Sequence, residues 1–212
     1  MLIIHHLGVS QSDRIVWLAE ELGLPYQLKW YHRQENGLMP ADYLALHPAS
    51  TAPVITDGDL VMAESTAIVE YLCHRHGGGR FTVRPDQPDY PHYLYWLQFN
   101  NNIMGLFLGR MGLNAGPGTG PEAERVAGLI ARREAGYYGY LEKRLGEAPY
   151  LGGAEFTCAD IMSMFTLTSL PLFGGRGIED LPNTQAYVQR VTGRPAYVKA
   201  MQLAGPAATP PA

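Results

Sequence analysis

Cysteine is scarce in this chain. Of 212 residues only two are Cys, Cys73 and Cys158, far apart and in no Cys-x-x-Cys pair. That excludes a disulfide-stapled scaffold and favours a reducing compartment, with both thiols read as small buried apolar side chains. A basic excess is also missing. Sixteen Lys and Arg stand against 20 Asp and Glu, for a formal charge of -4, so the electrostatic footprint of a nucleic-acid binder is absent. No apolar run reaches the roughly 18 residues that a membrane-spanning helix needs. The start, Met1-Leu2-Ile3-Ile4-His5-His6, has neither a basic region nor a long apolar one. It reads as a strand rather than a leader peptide.

What is present is a change of pattern along the chain. Leu2 to His6 is a short β-forming run. From Ser10 to Leu22 the spacing becomes helical, with Ile15, Leu18, Ala19 and Leu22 on one face. Ser10 or Ser12 can cap this helix and Gly23 can end it. Tyr26 to Tyr31 alternates as a second strand, and Pro40 to Leu46 is a short helix. Pro53–Thr56 and Leu60–Ala63 flank Asp57-Gly58-Asp59, which is a hairpin signal. Glu64 to His76 reads as a helix, stopped by Gly77-Gly78-Gly79. This order is a βαβ unit followed by a hairpin and a helix, an α/β layer of thioredoxin size.

Arg80 to Pro91 carries Pro85, Pro88 and Pro91 and reads as a linker. Beyond it the strand signals stop. Helices are expected over Tyr93–Met111, Pro121–Leu145 and Cys158–Leu170, then from Pro182 and from Pro195. Gly112 to Pro121 is a break. Thr157-Cys158-Ala159-Asp160 has capping-box spacing, with Asp in place of Glu. The expected fold class is therefore α/β plus all-α. Its parts are a thioredoxin-like domain over 1–79, a linker over 80–91, an all-helical domain over 92–204 and a frayed tail over 205–212.

Two short features stand out in the first part. If Ala52-Pro53 is cis, the backbone N–H and C=O of Ala52 are exposed at the strand's edge, where an extended peptide can pair with them. An ordinary trans proline opening an edge strand is the other reading. Glu64-Ser65 lies at a predicted helix start, where backbone N–H groups favour an anion. Ser65 can donate to a carboxylate and Glu64 can accept from an ammonium, which suits the α-amino-acid end of a peptide; a plain helix cap is the alternative. His5 and His6 are adjacent on a strand and so point to opposite faces. With no third ligand they make no metal site and are read as structural. His74 and His76 end a helix and suit its negative pole.

The joint pattern is more specific than either feature. His47-Pro48-Ala49-Ser50-Thr51-Ala52-Pro53-Val54-Ile55, a hairpin, then Ala63-Glu64-Ser65-Thr66-Ala67-Ile68-Val69-Glu70-Tyr71-Leu72 resembles the glutathione-site signature of cytosolic glutathione transferases. The resemblance runs nearly the whole chain, through the Thr157–Asp160 element to Arg194-Pro195-Ala196-Tyr197. It implies a thioredoxin-like domain followed by an all-α domain, a two-fold homodimer, a cytoplasmic location and a detoxification role. Glutathione would be the co-substrate, bound by Thr51, Ala52, Pro53, Glu64 and Ser65, with the Ala52 backbone holding its cysteinyl part and Glu64 and Ser65 its γ-glutamyl end.

The lysine that precedes this motif in the family and meets the glycyl carboxylate is replaced by Thr51. A charged hydrogen bond lost there is worth roughly 1.5–3 kcal/mol, and Lys29, Arg33 and His47 are candidates to replace it. No tyrosine or cysteine follows the first strand. Ser10-Gln11-x-x-Arg14 resembles the bacterial serine-type members (theta-, beta- or nu-like), in which a serine hydroxyl donates to the glutathione sulfur. Ser10 is the first candidate and Ser12 the second, with helix capping the competing role.

The acceptor pocket is expected between the first domain and the first long helix. That helix carries Asn100, Asn101, Asn102, Met104, Phe107, Leu108, Arg110 and Met111. Asn102 would serve as a polar contact and Arg110 would meet an anionic acceptor; core packing and solvent-facing asparagines are the competing account. The implied reaction is attack of glutathione thiolate on a small hydrophobic electrophile. Glutathione-dependent isomerisation, elimination or dehalogenation, and a non-catalytic ligand-binding role, stay open.

Overall fold

The computed structural model describes residues 1–115 and 120–210. They form two compact units, Met1–Arg84 with Arg190–Ala212, and Pro85–Gln189.

The first unit is built on four strands. These are β1 (Leu2–Leu7), β2 (Tyr26–Tyr31), β3 (Val54–Asp57) and β4 (Leu60–Ala63), in spatial order β2-β1-β3-β4. β1 and β2 are parallel and joined by helix α1 (Asp13–Leu22); β3 lies antiparallel to β1, and β4 antiparallel to β3. The strand β1 is buried along nearly its whole length, with two apolar residues and one histidine on each face. α1 ends where expected, with Gly23 at φ 66° as a left-handed cap. Short α2 (Ala41–Leu44) and then α3 (Ser65–Arg75) complete the thioredoxin-like layer.

At the far end of the hairpin, Asp57 accepts from Tyr71 Oη at 2.9 Å and meets His76 Nε2 at 2.6 Å. The bond to His76, with help from Tyr71, holds the Asp57 carboxyl below its ordinary pKa. A carboxyl lowered on folding supplies stability above its unfolded pKa and loses it as pH falls through the folded value. Asp57→Asn should therefore flatten the decline of stability below about pH 4. Urea midpoints measured across that range check this, and an unchanged acid slope would refute it.

Helix α9 (Pro195–Ala204) returns to the first unit and packs on α1. Arg194 forms a two-pronged bond to Glu21 (2.6 and 2.8 Å), Lys199 pairs with Glu20, and Tyr197 meets Trp17 edge to face. The expected helical domain ending at 204 is thus cut shorter, because these long-range pairs bind its last helix to the sheet unit. The tail is held in part: Ala204 and Gly205 are buried, and Ala208 N–H bonds Gly205 C=O.

The second unit contains α4 (Tyr90–Leu97), α5 (Phe99–Ala115), α6 (Pro121–Glu147) and α7 (Cys158–Thr168), followed by a 3₁₀ turn at Leu170–Phe173. Helix α8 (Pro182–Thr192) runs out of it. The single helix expected over Tyr93–Met111 is two, divided at Gln98, with no Pro or Gly to announce the break. The expected break at Gly112–Pro121 lies later, since α5 continues to Ala115; residues 116–119 are outside the described range. α7 is the buried helix of this unit, closed off from solvent from Cys158 to Leu167. Its capping box is formed in full, with Thr157 and Asp160 bonding each other's backbone ends. Among the described residues no helix is long and apolar enough to cross a membrane.

Candidate functional site

Strand register explains why three separated segments meet. Val54, at the start of β3, pairs with His5 of β1 on one side and with Ala63 of β4 on the other. The C-terminal end of β1, the start of β3 and the end of β4 thus fall at one end of the sheet. There Leu7, Tyr31, Tyr43, Val54 and Ala63 form a buried apolar cluster, with Met39, Leu46 and Ala52 packed against it. From this cluster emerge the Gly8–Ser12 loop after Leu7, the Thr51-Ala52 segment before Pro53, and Glu64-Ser65 after Ala63.

Each segment has an unusual backbone. The Ala52–Pro53 bond is cis, the alternative on which the sequence reading depended. Val9, Ser50 and Glu64 have φ of 52°, 51° and 71°. Non-glycine residues avoid that region, and the β-branched Val9 most of all, at a cost on the order of 1–3 kcal/mol each. Such strain clusters at ligand-binding loops, and side-chain pattern alone gives no sign of it. Among the described residues the N–H and C=O of Ala52 take no partner in the chain, and neither do the Glu64 carboxylate and the Ser65 hydroxyl. Ser65 is nonetheless buried while Glu64 is exposed, so a ligand would find one recessed donor beside one open acceptor.

The Gly8–Ser12 loop is held from two sides. Arg33 donates from Nε to Gly8 C=O (3.0 Å) and from Nη2 to Val9 C=O (3.1 Å), with Nη1 on Gly37 C=O. Three of its five N–H groups are thereby used, and Arg33 clamps the loop. Inside the loop, Ser10 Oγ donates to Leu7 C=O at 2.7 Å and lies 2.7 Å from Ser12 Oγ. Ser12 Oγ lies 2.7 Å from His6 Nδ1. Ser10 Oγ also accepts from Ser12 N–H at 3.3 Å, at the start of α1. Ser12 occupies the cap position with helical dihedrals and makes no capping bond, because its hydroxyl is taken by His6 and Ser10. Ser12 and His6 are fully buried and Ser10 is half-buried. Of the two serines, Ser10 is the one a ligand can reach.

Two buried side chains near the loop have displaced pKa values. Burial lowers the His6 pKa to about 4, leaving the ring neutral, and raises the Asp13 carboxyl to about 7 against the opposing pull of Arg14. Three residues from Ser10, Asp13 thus carries less negative charge near neutral pH than an ordinary aspartate would.

The residues expected to line an acceptor pocket are on α5, in the second unit. Asn102 is exposed. Arg110 is bound at 3.1 and 3.3 Å to Glu134 and at 2.9 Å to Gly174 C=O. That geometry makes Arg110 a tie between α5, α6 and the Gly174 turn. Asn100 is the polar core residue of this helix, fully buried and accepting from Thr166 at 2.7 Å.

The family model of the glutathione S-transferase N-terminal domain matches residues 10–75, and that of the C-terminal domain matches residues 117–195. A crystal structure of a glutathione S-transferase from Actinobacillus pleuropneumoniae is 34% identical. The match covers 95% of this chain and 92% of that one, with a TM-score of 0.82. The chain belongs to the glutathione S-transferase family. Glutathione S-transferase 3 of Schizosaccharomyces pombe is 28% identical over 92% of this chain and 85% of its own length. A theta class glutathione S-transferase from Xanthomonas axonopodis pv. citri, solved with glutathione bound, is 25% identical with a TM-score of 0.70, over 96% of this chain and 98% of that one. This glutathione transferase has the family's two parts, a thioredoxin-like layer and a helical domain, and glutathione is the family's co-substrate.

Proposed function

We propose that this transferase is of the serine type. In this reading glutathione binds at the end of the sheet, its thiolate is stabilised by Ser10, and the thiolate attacks a small hydrophobic electrophile. The observation that carries the reading is the convergence of Ser10, Ala52 and Glu64-Ser65 around one apolar cluster, with their ligand-directed groups unpartnered or, for Ser10, half-exposed. The cysteinyl part of glutathione adds as a short strand on Ala52, and Thr51 and Pro53 shape that edge. Ser65 and the start of α3 receive the γ-glutamyl carboxylate; Glu64 receives its ammonium.

The chemistry needs no further group. Ser10 O–H turns from Leu7 C=O to the sulfur and favours thiolate over thiol. The sulfur lone pair then forms a C–S bond to the electrophilic carbon, and the displaced pair leaves with the leaving group. A homodimer in the cytoplasm, acting in detoxification, is the setting that the family resemblance supports.

Two measurements test the reading. Calorimetric titration with glutathione should give saturable heat, and no heat at millimolar ligand would refute it. With a lysine at position 51 the glycyl carboxylate regains a charged partner. Thr51→Lys should therefore tighten glutathione about tenfold, the lower end of what a charge-assisted bond supplies. Unchanged affinity would mean that the glycyl end lies elsewhere.

A further inference from the structure

The three 2.7 Å contacts that run from His6 through Ser12 and Ser10 to Leu7 C=O can be assigned a direction. Each serine hydroxyl carries one proton, and a backbone carbonyl only accepts. Ser10 therefore spends its proton on Leu7. The contact between Ser10 and Ser12 is then filled only by the Ser12 proton. The contact between Ser12 and His6 is in turn filled only by a proton on His6 Nδ1. All three bonds exist together in this polarity alone. A second observation agrees with it. His6 Nε2 is buried with no partner among the described residues. In the Nδ1–H tautomer that atom is a bare acceptor, whereas the reverse chain would leave a buried N–H orphaned, the rarer and costlier fault.

We propose that His6 and Ser12 are positioning residues, and that the one-way chain His6 Nδ1–H → Ser12 → Ser10 reserves the Ser10 proton for the glutathione thiolate. The proposal rests on the Ser10 reading above. Ser12 fills both acceptor positions of Ser10 Oγ, one with its hydroxyl and one with its backbone N–H at 3.3 Å, so Ser10 cannot donate back to Ser12, and its one proton exchanges between Leu7 C=O and sulfur. A hydroxyl that accepts a hydrogen bond also donates a stronger one, by about 10–30% per bond. The edge-to-face contact of His6 with Trp30, centroids 4.3 Å apart, fixes the ring plane. Burial keeps the ring neutral down to about pH 4, so the polarity holds throughout the range in which the thiol ionises.

Two independent readouts test this. Nitrogen-15 NMR of the ligand-free protein should show His6 as the Nδ1–H tautomer without protonation above about pH 5. An Nε2–H tautomer would overturn the proposal whatever glutathione does. The pKa of bound glutathione, followed by thiolate absorption, should rise by about half a unit in Ser12→Ala. His6→Phe should match that rise. His6→Asn, whose amide N–H can stand where Nδ1–H does, should restore most of the wild-type value, which loss of packing alone would not produce. Ser10→Ala supplies the reference. If it raises the thiol pKa while Ser12→Ala and His6→Phe do not, the positioning role is wrong and the Ser10 reading stands. If Ser10→Ala has no effect, both fall. Should His6→Phe not fold, Ser12→Ala and the tautomer decide.

Discussion

Asp160→Ala should destabilise the helical unit by about 4 kcal/mol and lower the thermal midpoint by about 10 °C. Asp160 is completely buried at the first turn of α7. Its Oδ2 accepts from Thr157 N–H (2.7 Å) and Thr157 Oγ1 (3.2 Å), and its Oδ1 accepts from Leu151 N–H (2.9 Å) and Tyr187 Oη (2.8 Å). One carboxylate thus joins the loop before α7, the start of α7 and helix α8. Alanine strands two buried backbone N–H groups and a phenol, each worth roughly 1–3 kcal/mol when unmet. Burial raises the Asp160 pKa while these donors pull it back, so part of the gain is offset by desolvation, and the net falls below the sum of four bonds. Asp160→Asn keeps one oxygen and should lose about half as much. A midpoint lowered by less than 3 °C in the alanine variant, well below the expected shift, would show that water replaces the carboxylate and that the network is not what holds α7.

That network was half legible. Thr157-x-x-Asp160 announces a capping box because capping is local, a matter of residues three apart. That the same carboxylate also binds Leu151 and Tyr187 could not be read, since both partners are brought by the fold. The same division applies to the architecture. The order of strands and helices in the first unit follows from periodicity, and Gly23 and Gly58 mark turns at φ 66° and 61° where only glycine is comfortable. The division at Gln98 leaves no trace in composition. Nor does the return of α9 to α1, which depends on Arg194 finding Glu21 across 173 positions.

At the candidate site, the segments were readable and their working parts were not. Spacing pointed to Ala52-Pro53 and Glu64-Ser65. What makes them a site is the register of Val54 between His5 and Ala63, together with positive φ at Val9, Ser50 and Glu64. Ser12 read as the second candidate for the sulfur, with helix capping as its competing role because serine before a helix usually caps it; the hydroxyl found a partner in His6. Arg33 read as a spare cation, and three of its donors bond carbonyls, two of them in the loop that carries Ser10 and one at Gly37. In each case the sequence shows the available group, and only the fold shows what it is already bonded to.

The second large effect is expected from Ser10→Ala, and its pH dependence is more informative than its size. A hydroxyl donated to a thiolate is a charge-assisted bond of roughly 1.5–3 kcal/mol. Its loss should raise the bound thiol pKa by about one to two units. The thiolate is the nucleophile, so kcat/KM rises with pH up to that pKa and then levels. The variant's profile should shift to the alkaline side, with activity at pH 7 down about tenfold or more. Above both pKa values the deficit should close, since the less stabilised thiolate is the more basic and the more nucleophilic, with a Brønsted slope near 0.4–0.5. Glutathione affinity should barely move below the bound thiol pKa, because Ala52, Glu64 and Ser65 hold the peptide and are untouched; above that pKa it should fall, since the bound thiolate has lost its donor. Stopped-flow conjugation rates from pH 6 to 10 with a model electrophile provide the check. A deficit of the same size at every pH would mean that Ser10 positions the sulfur without setting its ionisation. No deficit at any pH would remove Ser10 from the reaction and leave the helix start alone to stabilise the thiolate.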